Sequence, residues 1–458
     1  MLRIVQTINQ YLSDYILIIL LLGTGIYFTI RTRFVQVRCF GEGMRQVFGK
    51  FTMKGGSQES GLSSFQALTT AIAAQVGTGN IVGASGAILA GGPGAIFWMW
   101  IIAFFAMAAI YAEAVLAQET RVTAEDGTIK GGPVFYIKKA FPGKFGTFLA
   151  TFFAIAAVLA LGLMGSMVQS NSIGSTCNAA FGVPTWVVGV LVAIFAAIIY
   201  LGGVQRIAAV TEKIVPIMAA LYLIGGIVIL ICRAPYLPET FGMIFKYAFA
   251  PQAIIGGGFG YALKTAISQG AKRGLFSNEA GMGSTPHAHA LANVENPHKQ
   301  GIAAMIGVFI DTFVVLNMTA FVVISTLYAG NGPLAAGAAE GINKANMVQL
   351  AYTSIVGSTV GNAFIAICLF FFAFSTILSW NFFGKINIEY LFGKKAIIPY
   401  SIIAIIFTFL GSILSNDLVW ELTDMFNQLM VLPNSIALFA LSGMVVECCK
   451  KYGGKRNK

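Results

Sequence analysis

Gln75-Val76-Gly77-Thr78-Gly79-Asn80 interrupts an apolar segment, residues 63–90, that is long enough to cross a bilayer as a helix. A continuous helix has no use for two glycines and an asparagine at its centre. Each glycine lowers helix propensity by about 1 kcal/mol relative to alanine and opens backbone angles closed to other residues. In hydrocarbon, the freed N–H and C=O groups cost several kcal/mol each unless satisfied, so such a break is tolerated where it lines a cavity. Roughly equal lengths on either side, at about 1.5 Å per residue, put the break near the bilayer midplane. Broken helices at that depth form the sites of many secondary transporters. A Gly-rich helix–helix contact is the competing reading.

The surrounding composition narrows the choice. The 458 residues are 57% hydrophobic and 10% charged, with a mean hydropathy of +0.78. Soluble domains carry about 25% charged residues, so the chain is a polytopic membrane protein. Its formal charge of +11 is scattered between apolar spans without interleaved aromatics, which excludes nucleic acid as a partner and makes the basic residues topology signals. Six cysteines, Cys39, Cys177, Cys232, Cys368, Cys448 and Cys449, show no metal spacing and form no disulfide framework. The first apolar run, residues 15–30, lacks a basic leader and a small-residue cleavage site, and is expected to be a retained helix.

Hydropathy predicts eleven spans, at about 13–31, 63–90, 94–118, 145–179, 184–203, 211–232, 251–271, 298–328, 358–385, 396–415 and 431–449. With the N-terminus outside, most of the 29 basic residues fall in the cytoplasmic segments. Only Arg3, Arg233, Lys246 and Lys344 lie outside them, and Lys264 lies within a span. The expected topology is N-outside and C-cytoplasmic, in a prokaryotic plasma membrane.

Setting the first span aside leaves ten, and two halves of five helices run in opposite orientation because five is odd. The predicted organisation is an N-terminal peripheral helix and basic segment (1–62), a first five-helix repeat (63–232), a second, inverted repeat (233–450) and a basic tail (451–458). The second half opens like the first, with Gly256-Gly257-Gly258-Phe259-Gly260 leading into residues 261–270. Paired interrupted helices at matching positions point to a midplane site. Residues 329–357 are too polar to span and are expected to fold as an external lid.

A helix restarting after Gly79 presents free N–H groups and a positive dipole end, which attract carboxylate. The half-helix ending near Gln75 offers free carbonyls to Na⁺ or an ammonium group. One break can therefore hold both poles of a zwitterion and a coupling cation, and the glycines keep the pocket small. The substrate inferred is a small α-amino acid, with Gly77, Thr78, Gly79 and Asn80 around it. Gln169, Ser170 and Asn171, and Ser375, Thr376, Ser379 and Trp380, are further polar groups within spans. Ser375 and Thr376 with backbone carbonyls would suit a hard cation, which takes oxygen ligands, or they satisfy their own helix. Trp380 is a pocket wall or an interfacial anchor. Glu113, Asp311 and Lys264 are ionisable at membrane depth, where function is the default expectation. Glu113 would accept from freed amides of the broken helices or pair with Lys264, whose stem could also snorkel to the cytoplasmic face. His287, His289 and His298 are expected to face solvent.

These residues carry a family likeness. Residues 91–101, Gly-Gly-Pro-Gly-Ala-Ile-Phe-Trp-Met-Trp-Ile, resemble the signature of the sodium:alanine symporter family, as do 75–81 and 273–281. Ala106 stands where that signature usually ends in glycine. The resemblance implies the ten-helix, 5+5 inverted-repeat core of the amino acid–polyamine–organocation superfamily with broken first and sixth core helices, all-α, plus one N-terminal helix. It implies uptake of alanine or glycine coupled to Na⁺ or H⁺, with no organic cofactor. The break is also similar to the Val-Gly-x-Gly-Asn break of bacterial neurotransmitter:sodium symporters. By that likeness Gly77 and Gly79 sit at the substrate carboxylate, and Ala73 and Val76 lend carbonyls to a sodium joined by Ser375 and Thr376. The pocket would bring Gln169 or Asn171, Ile267, Thr376 and Trp380 near the amino acid.

The reading that results is a monomeric symporter, alternating access across the bilayer and importing a small neutral amino acid with Na⁺, with a proton-coupled symporter of the same fold as the alternative. A channel would need an oligomeric filter or charged ring. An enzyme would need a Ser/His or Asp/Asp pair at matching depth, which the sequence lacks.

Overall fold

The computed structural model describes residues 2–49, 61–125, 127–250, 259–335 and 340–454. The glycines 256–258 of the predicted second break lie outside the described residues, as do Lys50, Lys54, Lys455, Arg456 and Lys458.

The described chain is helical. It opens with α1 (Leu2–Tyr11) and α2 (Ile18–Arg31), then the short α3 (Val35–Arg38) and the amphipathic α4 (Phe40–Phe48). The interrupted segment follows as α5 (Ser64–Gln75), a π turn over Gly79–Gly83, and α6 (Ala84–Gly91). Ser63 starts α5 by a capping box: its hydroxyl accepts from the Gln66 N–H, and the Gln66 side chain accepts in return from the Ser63 N–H. Next come α7 (Gly94–Glu119), α8 (Pro133–Ala140), α9 (Lys144–Ala157), α10 (Ser166–Phe181), α11 (Thr185–Tyr200), α12 (Gly203–Cys232) and α13 (Leu237–Phe249).

The second half contains α14 (Phe259–Asn278), the five-residue α15 (Pro286–Ala290), α16 (Pro297–Val308), α17 (Asn317–Leu327) and α18 (Met347–Val356). It closes with α19 (Ser358–Phe392), α20 (Ile397–Ile413), α21 (Asn416–Ala440) and α22 (Ser442–Tyr452). Two small ladders join loops, β1 (Leu62–Ser63) parallel to β4 (Ala292–Asn293), and β2 (Val122–Thr123) antiparallel to β3 (Ile129–Lys130).

Six helices among the described residues are long and apolar enough to cross a membrane, and eight if each of two bent pairs counts as one span. One bent pair is the interrupted segment, whose halves differ in direction by 44°. Several boundaries depart from expectation: α12 starts at Gly203 and not at 211, and α19 runs to Phe392 and not 385. The helix predicted to stop near 271 continues as α14 to Asn278, because Lys272 and Arg273 spend their charge on Asp424 at 2.9 and 2.8 Å and need no water. Where a span is expected at 431–449, α21 (416–440) bends by 61° into α22, and the two helices are long and apolar enough to cross only as a pair that begins in α21. Asp417, Glu421 and Asp424 lower the hydropathy of its first half, yet Asp424 is buried among those cations.

The core is built from α5, α7, α9, α10, α12, α14, α16 and α19, and it buries Trp380, Tyr111, Phe153, Phe372 and Phe383. Facets of α11, α12 and α20 stay outward, with Ile194, Phe195, Ile224, Ile231, Ile402 and Ile406 exposed. That is the apolar exterior a bilayer requires.

Candidate substrate and ion site

At the break the helical ladder fails where the glycines sit. In an unbroken helix the Gly77 N–H would bond the Ala73 carbonyl, and the Thr78 N–H would bond that of Ala74. Here Gly77 donates to Asn80 Oδ1 at 3.0 Å, and Thr78 donates to Gln169 Oε1 at 3.2 Å. Val76 ends α5 with ψ of 87°. The freed Ala73 carbonyl is taken by side chains from α19: Thr376 Oγ1 donates to it at 2.8 Å and Ser375 Oγ lies at 3.4 Å.

Neither Gly77 nor Gly79 takes a positive φ, so backbone freedom does not explain them. Close approach does. A Cβ on Gly77 would lie 2.4 Å from Thr376 Oγ1, and one on Gly79 would lie 3.0 Å from the Cα of Ser277. The glycines let α19 and α14 reach the backbone of the break.

Asn80 ties the restart to a third helix. Its Nδ2 donates to Asp311 Oδ1 at 2.7 Å and to the Asp311 carbonyl at 3.2 Å. The same carboxylate accepts from Ser277 Oγ at 2.9 and 3.0 Å and from Thr312 Oγ1 at 2.8 Å. Asp311 sits in a π-helical stretch, Phe309–Leu316, an arrangement frequent at functional sites. Asp311 was legible only as an ionisable residue at depth; Ser277, inside a motif, gave no sign of its role.

Trp380 closes one side. Its indole N–H donates to the Glu279 carboxylate, which also accepts from Ser284 Oγ. The ring lies on Gly165, where a Cβ would meet it at 2.2 Å, and meets Phe276 edge-on at 5.8 Å. Glu279 itself adopts φ of +56°, a left-handed conformation uncommon outside glycine. No periodic or spacing signal marks it.

The remaining candidates distribute as follows. Gln169 is at the break. Asn171 donates to the carbonyls of Gly411 and Leu414 in and beyond α20, at 2.8 and 2.9 Å. Ile267 is half-buried on α14, two to three turns before Ser277. Buried atoms lacking an internal hydrogen-bond partner include Thr78 Oγ1 and Gln169 Nε2 at the break, and Ser170 Oγ and Ser379 Oγ on the helices that carry Gln169 and Thr376. A ligand with hydrogen-bonding groups would satisfy them.

Glu113 accepts from the Gly281 and Gly283 N–H groups at 3.0 and 2.9 Å and from Asn434 Nδ2 at 2.6 Å. The amides belong to the turn after α14, so Glu113 braces that turn. The histidines do not face solvent as expected: His287, His289 and His298 are all buried. His287 bonds the Ser284 carbonyl at 2.6 Å and Asn387 at 2.9 Å, and stacks on Phe383. Burial in that apolar setting lowers the pKa of His287 to about 4 and that of His289 to about 3. The polar loop composition concealed how much helix packs over them.

Cavities open at both ends of the bundle. One of about 680 Å³ is lined by Gly86, Ser175, Gln269, Arg273, Lys344 and Asp417. Below it Arg273 bonds Asp424 at 3.2 and 2.8 Å and covers Trp420, with the guanidinium 4.8 Å from the ring. Phe276, 4.7 Å from the Trp420 ring, packs at Gly79. A second cavity, about 630 Å³, lies among the opposite loops, lined by Gly61, Leu62, Lys130, Gly202, Glu389 and Lys394.

The profile of the sodium:alanine symporter family matches residues 1–458. The sodium/alanine symporter AgcS of Methanococcus maripaludis is 40% identical over 451 residues, covering 98% of this chain and 96% of its own. YrbD of Bacillus subtilis, for which a sodium/proton-dependent alanine carrier role is put forward, is 40% identical over 457 residues, 98% of this chain and 92% of its own. Among solved structures, MhsT in complex with L-phenylalanine superposes with a TM-score of 0.58 at 16% identity, over 87% of this chain and 91% of that one. That likeness concerns the fold alone.

Proposed function

The chain belongs to the sodium:alanine symporter family, a family of membrane transporters and not of enzymes, and on that premise we propose that it imports a small neutral amino acid, alanine or glycine, together with Na⁺. The observation that carries the proposal is the set of oxygens at the break. Thr376 Oγ1 and Ser375 Oγ each lie within hydrogen-bonding distance of the Ala73 carbonyl, at 2.8 and 3.4 Å, and hard cations take such oxygen ligands. The carbonyl of Val76, where the helix ends, would complete the cage.

The substrate carboxylate would sit at Gly77 and Gly79, at the positive end of the restarted helix, displacing the side-chain oxygens of Asn80 and Gln169 from the Gly77 and Thr78 N–H groups where it binds them. Thr78 Oγ1 and Gln169 Nε2, both buried without a partner, would hydrogen-bond it. Gly77 and Gly79 keep the space too small for a large side chain. Trp380 forms the wall, and Ile267 and Asn171 belong to the outer lining.

For architecture, the proposal is eleven spans: α2, then two inverted five-helix repeats at 63–232 and 233–450, with the external lid at 329–357. The N-terminus would lie outside and the C-terminus inside a prokaryotic plasma membrane, with the chain working as a monomer. The bundle would rock so that the outer cavity above Arg273–Asp424 and the inner one beside Lys130 open in turn.

The alternative is proton coupling, and a specific observation favours keeping it: Asp311 is a buried carboxylate whose described partners are Asn80, Ser277 and Thr312, all uncharged. The deciding experiment is alanine and glycine uptake by proteoliposomes at fixed pH with Na⁺ replaced by K⁺ or choline. Loss of uptake is expected. Full uptake without Na⁺ removes sodium from the account and leaves the proton.

A further inference from the structure

On the loop side opposite the larger cavity, the corner between α3 and α4 meets the foot of α16 and the end of α22. Three metal-ligand side chains from two chain segments converge there. One ligand atom each from Cys39, Glu42 and His298 lie within 4.8 Å of one another. Cys39 and His298 are 2% and 1% exposed, while the Glu42 side chain is 30% exposed and forms the mouth.

The imidazole is aimed. Its Nδ1 is 2.7 Å from the Tyr111 hydroxyl, which orients the ring and leaves Nε2 pointing into the cluster. Nε2 is buried with no hydrogen-bond partner, and Glu42 Oε2 lies 3.7 Å away, too far for a hydrogen bond. A buried ring nitrogen left in that state calls for an explanation, and an ion is one of the few available. A polar outer partner on the second ring nitrogen is the usual companion of a ligating histidine.

The charges around the cluster allow a cation. Lys299 holds the other Glu42 oxygen, Oε1, at 2.9 Å and leaves Oε2 free. Arg38 is engaged with the carbonyls of Arg33, Thr32 and Gly453 at 2.7, 2.9 and 3.3 Å, and its Nη2 is 3.6 Å from Cys449 Sγ. The Cys39 thiol donates to the Gly453 carbonyl at 3.8 Å, a weak bond that is easily given up.

We propose that Cys39, Glu42 and His298 form a binding site for a transition-metal cation of the zinc class. Sulfur, imidazole nitrogen and carboxylate oxygen together match that class, whereas Mg²⁺ and Ca²⁺ prefer oxygen alone. Around tetrahedral zinc the ligand atoms would be roughly 3.3–3.7 Å apart, so the side chains close by about an ångström on loading. The metal forms a bond to Cys39 Sγ and the thiol proton leaves to solvent; a water takes the fourth position. Loading links the α3–α4 corner to the start of α16, and so restrains the end of a core helix that would move in transport.

The test uses the full chain in detergent, stripped with chelator and equilibrated with Zn²⁺ alone. One zinc per chain is expected in the wild type and in Cys232→Ser, whose thiol is exposed elsewhere, with loss in Cys39→Ser and His298→Gln. Tyr111→Phe, a positioning change, should weaken zinc roughly tenfold. Zn²⁺ should also raise the melting temperature of the wild type and not of the ligand variants. Should those variants fail to fold, Co²⁺ on the wild type reads the site directly through a sulfur-to-metal absorption band. No bound zinc in the wild type, retention in both ligand variants, or cobalt spectra without thiolate character would overturn the proposal.

Discussion

Asn80 Nδ2 lies 2.7 Å from Asp311 Oδ1, joining the restart of a broken helix to a carboxylate 231 residues further along the chain. Through Asn80 Oδ1 the same side chain holds the Gly77 N–H at 3.0 Å. One amide thus receives a freed backbone donor on one side and gives its own protons to a buried acid on the other. The shape of the break depends on both contacts.

Asn80→Ala removes this link and leaves the Gly77 N–H and the Asp311 carboxylate each short of a partner. A hydrogen bond to a charged group contributes about 1.5–3 kcal/mol, so alanine binding should weaken more than tenfold. Thr78→Val should do the same by removing a hydroxyl facing the break. Equilibrium binding to purified protein checks both, and wild-type affinity in either would move the site elsewhere.

Gly77→Ala places a methyl 2.4 Å from Thr376 Oγ1. Either α19 shifts or the break changes shape, and the oxygens at Ala73 separate. Uptake should fall by about a hundredfold while the protein still inserts, because the collision is confined to the site; an estimated 2–3 kcal/mol of overpacking corresponds to that factor. Transport assays beside a quantified membrane yield decide the matter.

Thr376→Ala and Ser375→Ala each delete one oxygen beside the Ala73 carbonyl. The Na⁺ concentration for half-maximal uptake should rise roughly tenfold or more, about 1.4 kcal/mol or above for one lost ligand. An unchanged sodium dependence in both variants would separate these hydroxyls from ion binding.

His287 and His289 give a pH signature. Their folded pKa values, about 4 and about 3, lie below the ordinary 6.5, so the unfolded chain binds more protons once the pH drops past 6.5. Their contribution to stability is therefore complete above that pH and is lost as the pH falls toward 4. Each contributes up to about a tenfold change in the unfolding equilibrium per pH unit in that window. Thermal melts from pH 7 to 4 should show the slope, and His287→Gln should make it shallower.

Trp380→Phe keeps the ring against Gly165 but removes the donor to Glu279. A buried carboxylate losing such a partner costs about 1–3 kcal/mol, visible as a lowered melting temperature.

Much was written locally. Low charge, apolar runs and the glycines at 77 and 79 are properties of neighbouring residues, and a bilayer turns them directly into spans and a break because unpaired peptide groups are so costly there. The family likeness likewise rests on short motifs. What tertiary structure decided was who meets whom. The approach of Thr376 to Ala73 across 303 residues followed from the family likeness, but Asp311 reaching Asn80 and Glu279 reaching Trp380 did not; no periodicity encodes such pairs. It also reversed expectations set by composition: the histidines, in a polar stretch, are buried, and Asp424 sits inside a helix end that hydropathy passed over. Local hydropathy records the preference of one side chain for water, whereas burial depends on whether distant helices bring it a partner.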